Sequence, residues 1–308
     1  MRRTFIEDIK HQYKYGGVHI RLLFINISAF LVINILLMLD QLFMTSGVFA
    51  SFVNALIVLP PDFGSLLFKP WTLFTYMFAH IDFFHILGNM IFLYFGGDLF
   101  RNLLGERRLL YTYLVGGIAG GLLQITANEF IPFFMERSVG GMIGASASVM
   151  AVFIAVAFFR PNAQVYLFGI FAVRLIVLAL VFIAMDFLNL TANDNVGHLA
   201  HLGGALVGYL SVQNVHSHNN FMSKIEMWGD RKWAQLMRIF RKTPTMRVYK
   251  NTQTKTPNYG RAKSDEAFLA EKKAKQERID AILDKISKKG YDSLSKDEKQ
   301  FLFNQKED

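Results

Sequence analysis

The amino-acid sequence predicts an all-α protein: a polytopic bundle of six transmembrane helices in residues 21–215, followed by a small cytoplasmic helical tail. Three observations carry this reading. The 308 residues are 52% hydrophobic and include 30 Phe, far more oily than an average soluble domain of this length. Uncharged apolar runs recur along the chain. Lys and Arg gather in alternate connections between those runs.

A helix needs about 20 mostly apolar residues to cross a hydrocarbon layer ~30 Å thick. Residues 22–39, 83–97, 109–128, 142–159 and 196–223 contain no charged side chain. A further apolar stretch, 161–190, holds Arg174 and Asp186, so the span there is placed at about 172–190 with Arg174 snorkelling at one end. Arg2, Arg3, Lys10, Lys14 and Arg21 precede the first span. Arg101, Arg107 and Arg108 follow the second, and Arg160 and Arg174 follow the fourth. The alternate connections hold Lys69 and Arg137. Basic residues are retained in the cytoplasm, so both termini are expected there. The first span is longer than the apolar core of a cleaved signal and is read as a signal-anchor.

The connection 40–79 is aromatic, broken by Pro60, Pro61 and Pro70, and is expected to lie partly in the membrane. Residues 1–20 form a short cytoplasmic segment. After the bundle, 216–263 reads as a basic amphipathic juxtamembrane segment and linker. Within it, 221–242 sets Ile225, Trp228, Trp233, Leu236 and Phe240 among Lys and Arg, as in a helix on a membrane surface. Residues 264–308 read as a helical extension: Ile279, Ile282, Leu283 and Ile286 recur at helical spacing, Gly290 stops that helix, and Ser295 with Glu298 forms a capping box for the next.

The formal charge of +9 divides unevenly. Residues 1–221 carry 12 basic and 11 acidic side chains, and residues 222–308 carry 21 and 13. The basic tail therefore suits anionic lipid headgroups rather than nucleic acid. Without a single Cys, disulfides, thiolate metal sites and a cysteine nucleophile are excluded.

Ionisable and strongly polar side chains are rare inside a bilayer because each costs at least ~2.5 kcal/mol at its centre, which makes those that remain candidates for function. His85 and Asn89 stand at i and i+4 of the second span, on one helix face. Spacing alone leaves hydrogen-bonding glue between helices as an equal reading. The fourth span opens on a run of small residues around Ser146, with Gly140, Gly144 and Ser148 on one face and Ala147, Ala151 and Ala155 on another. A lone Ser there would more often bond its own helix carbonyl. The sixth span opens on His198 and His201, with Gly204 and Gly208 on the stripe of His201. A tight crossing at those glycines would bring a Ser on a neighbouring helix within reach of the imidazole. The second, fourth and sixth spans all start from the outside, so His85, Asn89, Ser146 and His201 share one depth at ~1.5 Å per residue.

Together these clusters resemble the signature of the rhomboid intramembrane serine proteases. The resemblance rests on His85-x-x-x-Asn89, Gly144-x-Ser146 and Ala200-His201-x-x-Gly204-x-x-x-Gly208, in family order and spacing, and covers about residues 20–215. The tail is similar to cytoplasmic extensions of some bacterial rhomboids. The resemblance implies a multi-pass protein of the bacterial inner membrane that cuts single-span transmembrane substrates. It implies a dyad of Ser146 as nucleophile and His201 as base, with Asn89, His85 and the Ser146 amide receiving the oxyanion. No cofactor and no metal are expected. Asp186 is the nearby carboxylate to consider as a third member, against the family's aspartate-free dyad. Ser148 is the other nucleophile to consider, set aside because it faces away from Ser146 on a helix. Departures from the family pattern are Ala147 after the nucleophile, Met150 where many members stack an aromatic on the histidine ring, and Thr72 after Trp71. Two rival readings are a transporter, for which the chain lacks a convincing internal repeat, and a non-proteolytic rhomboid-like binding protein, which would typically have lost the Ser or the His.

Overall fold

The computed structural model describes residues 4–136, 141–167, 170–192, 197–217, 219–240 and 265–304. Gly140, Arg137 and the linker 243–263 lie outside the described residues. Fourteen α-helices, two short 3₁₀ helices and one β-hairpin make up the described elements. They fall into two compact units, Met1–Lys242 and Thr243–Asp308.

The first unit begins with α1 (Phe5–Tyr15), opened by a capping box between Thr4 and Glu7, and α2 (Gly17–Phe43). The outer connection is well structured: α3 (Val48–Ile57), α4 (Phe63–Phe68) and α5 (Thr72–Thr75) lead through one 3₁₀ turn, Tyr76–Phe78, into α6 (Phe83–Leu104). Asp62 and Asp82 cap α4 and α6 by accepting from Ser65 and His85 amides. Then come α7 (Glu106–Phe130), α8 (Pro132–Met135), α9 (Ser146–Phe159), the antiparallel strands β1 (Gln164–Leu167) and β2 (Phe171–Arg174), α10 (Leu175–Leu188), α11 (His198–Val212) and α12 (Phe221–Phe240).

Three helices, α2, α6 and α7, are long and apolar enough to cross a membrane among the described residues. The other expected spans correspond to α9, α10 and α11, of 14, 14 and 15 residues. At 1.5 Å per residue they measure about 21–23 Å, short of the ~30 Å hydrocarbon layer. Two of the differences from the sequence reading have clear causes. Residues 142–145 precede α9 outside the helix, because Met142 pairs with Leu59 through bonds of 2.9 and 3.0 Å and Gly144 adopts φ +135°. Residues 172–174 are strand rather than helix, since Phe171–Arg174 pairs with Gln164–Leu167.

Helix α9 is the hub. Ala147 through Val149 and Ala151 through Ala157 are buried, and a helix apolar all round is one surrounded by protein. Small residues let the backbones approach. A Cβ on Gly204 or Gly208 of α11 would collide with the backbone carbonyls of Ala147 and Ala151, and one on Gly120 of α7 would stand 2.6 Å from both the Ala147 Cβ and the Ala200 carbonyl oxygen. Phe92, Phe153 and Phe182 join α6, α9 and α10 in edge-to-face contacts with centroids 5.3–5.8 Å apart. Outside this core lies a broad apolar surface that includes Leu31, Ile35, Phe84, Phe95, Leu180 and Phe187, all exposed. Such a surface suits lipid rather than water.

Helix α12 packs with this first unit, although the division at residue 216 groups it with the linker. Arg108 of α7 is buried and donates to Glu226 Oε1 at 3.0 Å and to Ser223 Oγ at 2.6 Å. Arg107 pairs with Asp230, and the Tyr111 hydroxyl bonds the same carboxylate at 3.1 Å.

In the second unit, α13 (Asp265–Lys289) ends at Gly290, whose φ of +76° suits a glycine. Helix α14 (Lys296–Asn304) starts at the expected box: the Ser295 amide donates to Glu298 and the Glu298 amide to Ser295. Lys285 pairs with Glu298 at 2.9 Å, and Ile282 and Leu294 are buried.

Candidate active site

The first residues of α6, α9 and α11 and the last turn of α10 meet at one end of the bundle. Ser146 is the first residue of α9, and His201 is the fourth of α11. Their side chains are 2.8 Å apart, Ser146 Oγ to His201 Nε2. The crossing at Gly204, one turn along from His201, brings the two helices close enough for this bond. Ser148 points elsewhere: it is wholly buried beside Gly117 of α7, and its hydroxyl has no hydrogen-bond partner.

The structure adds a carboxylate to the expected pair. Asp186 Oδ1 lies 2.8 Å from His201 Nδ1 and 2.8 Å from His198 Nδ1. A carboxylate only accepts, so each Nδ1 carries the proton and His201 Nε2 is left to accept from the Ser146 hydroxyl. Beside the expected pair of Ser146 and His201, the structure thus places Asp186, the carboxylate considered as a third member, on the far nitrogen of the imidazole. Spacing along the sequence does not reveal this, because the last turn of α10 meets the first turn of α11 only through the fold.

His85 faces the loop in front of Ser146. A Cβ on Gly144 would stand 2.8 Å from His85 Cε1 and 3.1 Å from His85 Nε2, so only a glycine leaves room for the ring. The φ of +135° asks for glycine independently. Asn89 is buried one turn further along α6 and donates to the His85 carbonyl at 2.9 Å. Asn89 is thus tied to His85, and no hydrogen bond joins it to Ser146 among the described residues.

His80 escaped the sequence reading. It lies before α6, where a histidine is unremarked by a search for polar residues inside spans. Its side chain is fully buried, its Nε2 accepts the Ala145 amide at 3.3 Å, and its ring meets His85 edge to face at 5.1 Å. Burial, with His85 beside it, pushes its pKa down to about 3, so it stays neutral and remains an acceptor. The Gly144 amide donates to Tyr76 at 3.0 Å. Tyr76 and His80 thus hold the amides of the two residues immediately before Ser146.

Residues 67–217 match the rhomboid domain, and residues 263–304 match a family of unknown function (DUF6576). Two relatives come from Arabidopsis thaliana. The chain is 33% identical over 150 residues to RHOMBOID-like protein 12, mitochondrial, covering 46% of this chain and 45% of that protein. It is 30% identical over 141 residues to RHOMBOID-like protein 1, covering 46% of this chain and 33% of that protein. The chain spans less than half the length of either relative. A nearly all-α bundle with membrane-capable helices carries the site, and residues 67–217 of it match the rhomboid domain.

Proposed function

We propose that this protein is an intramembrane serine endopeptidase that hydrolyses peptide bonds in or near the transmembrane segments of single-span membrane proteins. The observation that carries the proposal is the continuous bonding from Ser146 Oγ through His201 to Asp186, each step 2.8 Å. Ser146 Oγ attacks the scissile carbonyl carbon while His201 Nε2 takes its proton. Asp186 holds the ring in the tautomer that can accept, and stabilises the imidazolium that forms. The oxyanion is received by the Ser146 amide at the start of α9, with His85 and the second N–H of Asn89 beside it. Collapse expels the amine, which takes the proton from His201. Water then repeats the sequence on the acyl-enzyme and restores Ser146. This reaction asks for no cofactor.

The proposed setting is a bacterial cell membrane, crossed six times with both termini in the cytoplasm and the site near the outer face. The basic residues in alternate connections support that orientation. A helical substrate hides its carbonyls in internal hydrogen bonds, so segments containing Gly or Pro near the cut are the preferred ones. Helix α12 exposes Trp228 and Trp233 beside Lys224, Arg231 and Lys232, which supports contact with anionic lipid headgroups.

The test is cleavage of a single-span reporter by the full chain in proteoliposomes. Ser146→Ala and His201→Ala should each abolish cleavage and labelling by a fluorophosphonate probe, while Ser148→Ala retains both. Undiminished cleavage by Ser146→Ala would refute the assignment.

A further inference from the structure

Asp186 serves two imidazoles, and the second has no place in the hydrolytic sequence. His198 and His201 stand three residues apart in the first turn of α11, on one face, with ring centroids 6.1 Å apart. Both Nδ1 atoms point at the same carboxylate oxygen from 2.8 Å. The three donor atoms lie within 4.8 Å of one another. Their side chains are 10–15% exposed, so the cluster is shielded but not sealed.

Two imidazole nitrogens and a carboxylate form a common three-residue ligand set for zinc, which is held at about 2.0–2.2 Å from each and keeps its fourth position open. Imidazole donors suit zinc, copper and nickel rather than the hard cations magnesium and calcium. A cation seated near the present Oδ1 position, with the carboxylate drawn back by a turn of its side chain, would meet both lone-pair directions at once. We infer that Asp186, His198 and His201 form an inhibitory site for a borderline transition-metal ion such as Zn²⁺, occupied in competition with catalysis.

The inhibition follows from the imidazole itself. In the metal-free site His201 carries its proton on Nδ1 and accepts at Nε2. A metal at Nδ1 moves that single proton to Nε2, so the ring donates to Ser146 Oγ instead of accepting from it. The serine loses its base although the Ser146 to His201 contact survives. His198 makes the site: without it, His201 and Asp186 alone hold a metal poorly, and the enzyme chemistry does not call on it. The inhibitory part rests on the protease reading above, whereas metal binding does not.

Binding and inhibition are therefore measured separately on the full chain, freed of any polyhistidine tag. Titration of Ser146→Ala protein with Zn²⁺ by calorimetry should show one site that is lost, or weakened by at least about tenfold, when His198→Gln or Asp186→Asn is added; even a lost outer partner of a metal ligand commonly costs that much. A site unchanged by both substitutions would overturn the proposal. In the parent protein, Zn²⁺ should suppress fluorophosphonate labelling, EDTA should restore it, and Mg²⁺ should leave it alone. His198→Gln should raise the half-inhibitory Zn²⁺ concentration by at least the same factor. Equal inhibition of parent and His198→Gln would sink the site even if labelling itself confirms the serine. Absence of labelling in the parent without metal would instead refute the protease reading, and the calorimetry would still decide the metal site. Where His198→Gln elutes as aggregate, Asp186→Asn in the Ser146→Ala background supplies the same decision.

Discussion

Gly204→Ala tests whether backbone contact between α9 and α11 sets the Ser146 to His201 distance. The added carbon would stand 2.8 Å from the Ala147 carbonyl carbon and 3.1 Å from its α-carbon, and nearer still to the carbonyl oxygen. None of these is a side-chain tip that can swing away. Clearing the overlap requires the helices to part by about 1 Å, in an interior packed as densely as an organic crystal. Overpacking of this kind costs about 1–3 kcal/mol of stability. One turn away, the same displacement stretches the 2.8 Å bond between Ser146 and His201 past hydrogen-bonding range. A misplacement of that size commonly lowers rate by about 10²-fold. The assay is the initial rate of fluorophosphonate labelling in proteoliposomes, beside a thermal unfolding curve in detergent. Gly208→Ala is the control: its Cβ meets Ala151 in the same way, one turn further from the histidine, so it should lower stability similarly and labelling less. Labelling of Gly204→Ala at the parent rate, with intact folding, would refute the idea that the crossing sets the geometry.

Asp186→Asn should lower turnover by up to about 10⁴-fold if the amide traps the wrong tautomer of His201, with substrate KM little changed; parent-like kcat would return the mechanism to a dyad. Asn89→Ala should reduce kcat by about 10²-fold or more if it donates to the oxyanion, whereas a loss of stability alone would favour a purely structural bond to His85. His80→Ala should destabilise by about 1–3 kcal/mol, since it leaves the buried Ala145 amide without an acceptor, and His80→Gln should recover part of that in thermal unfolding. Ending the chain after Lys242 should preserve labelling. Ending it after Asn220 removes Ser223 and Glu226, the partners of Arg108, and should lower the midpoint of unfolding; identical midpoints would show that α12 adds nothing to the first unit.

The residues most legible in the sequence are those whose chemistry is out of place in hydrocarbon. His85, Asn89, Ser146 and His201 stand out because the runs around them are apolar, and Gly204 and Gly208 because glycine is costly in a helix interior without a packing reason. The tail was equally readable: Gly290 and the Ser295 and Glu298 pair are local signals that need no tertiary context. What escaped depends on contacts between segments far apart. Asp186 was visible as a carboxylate that could join His201, but its contact with the ring is made only by the fold, and His80 acts from a loop. Gly144 reads as part of a helical small-residue stripe until its backbone is seen to turn at a positive φ. The hairpin Gln164–Leu167 with Phe171–Arg174 is hidden by the same apolarity that marks a span.

The three groups of the proposed relay ride on helices with different surroundings. Helix α9 is enclosed by protein along nearly all its length, and α11 is locked to it through glycines. Helix α10 instead shows Val177, Leu180, Val181, Met185, Phe187 and Leu188 to the outside, resting on Phe182 at its middle and tied to α11 by Asp186 near its end. The helix of the carboxylate thus turns an apolar face outward, while protein encloses the helix of the nucleophile. On the proposed mechanism, whatever disturbs α10 from outside therefore reaches the orientation of the imidazole before it reaches the contact between serine and ring.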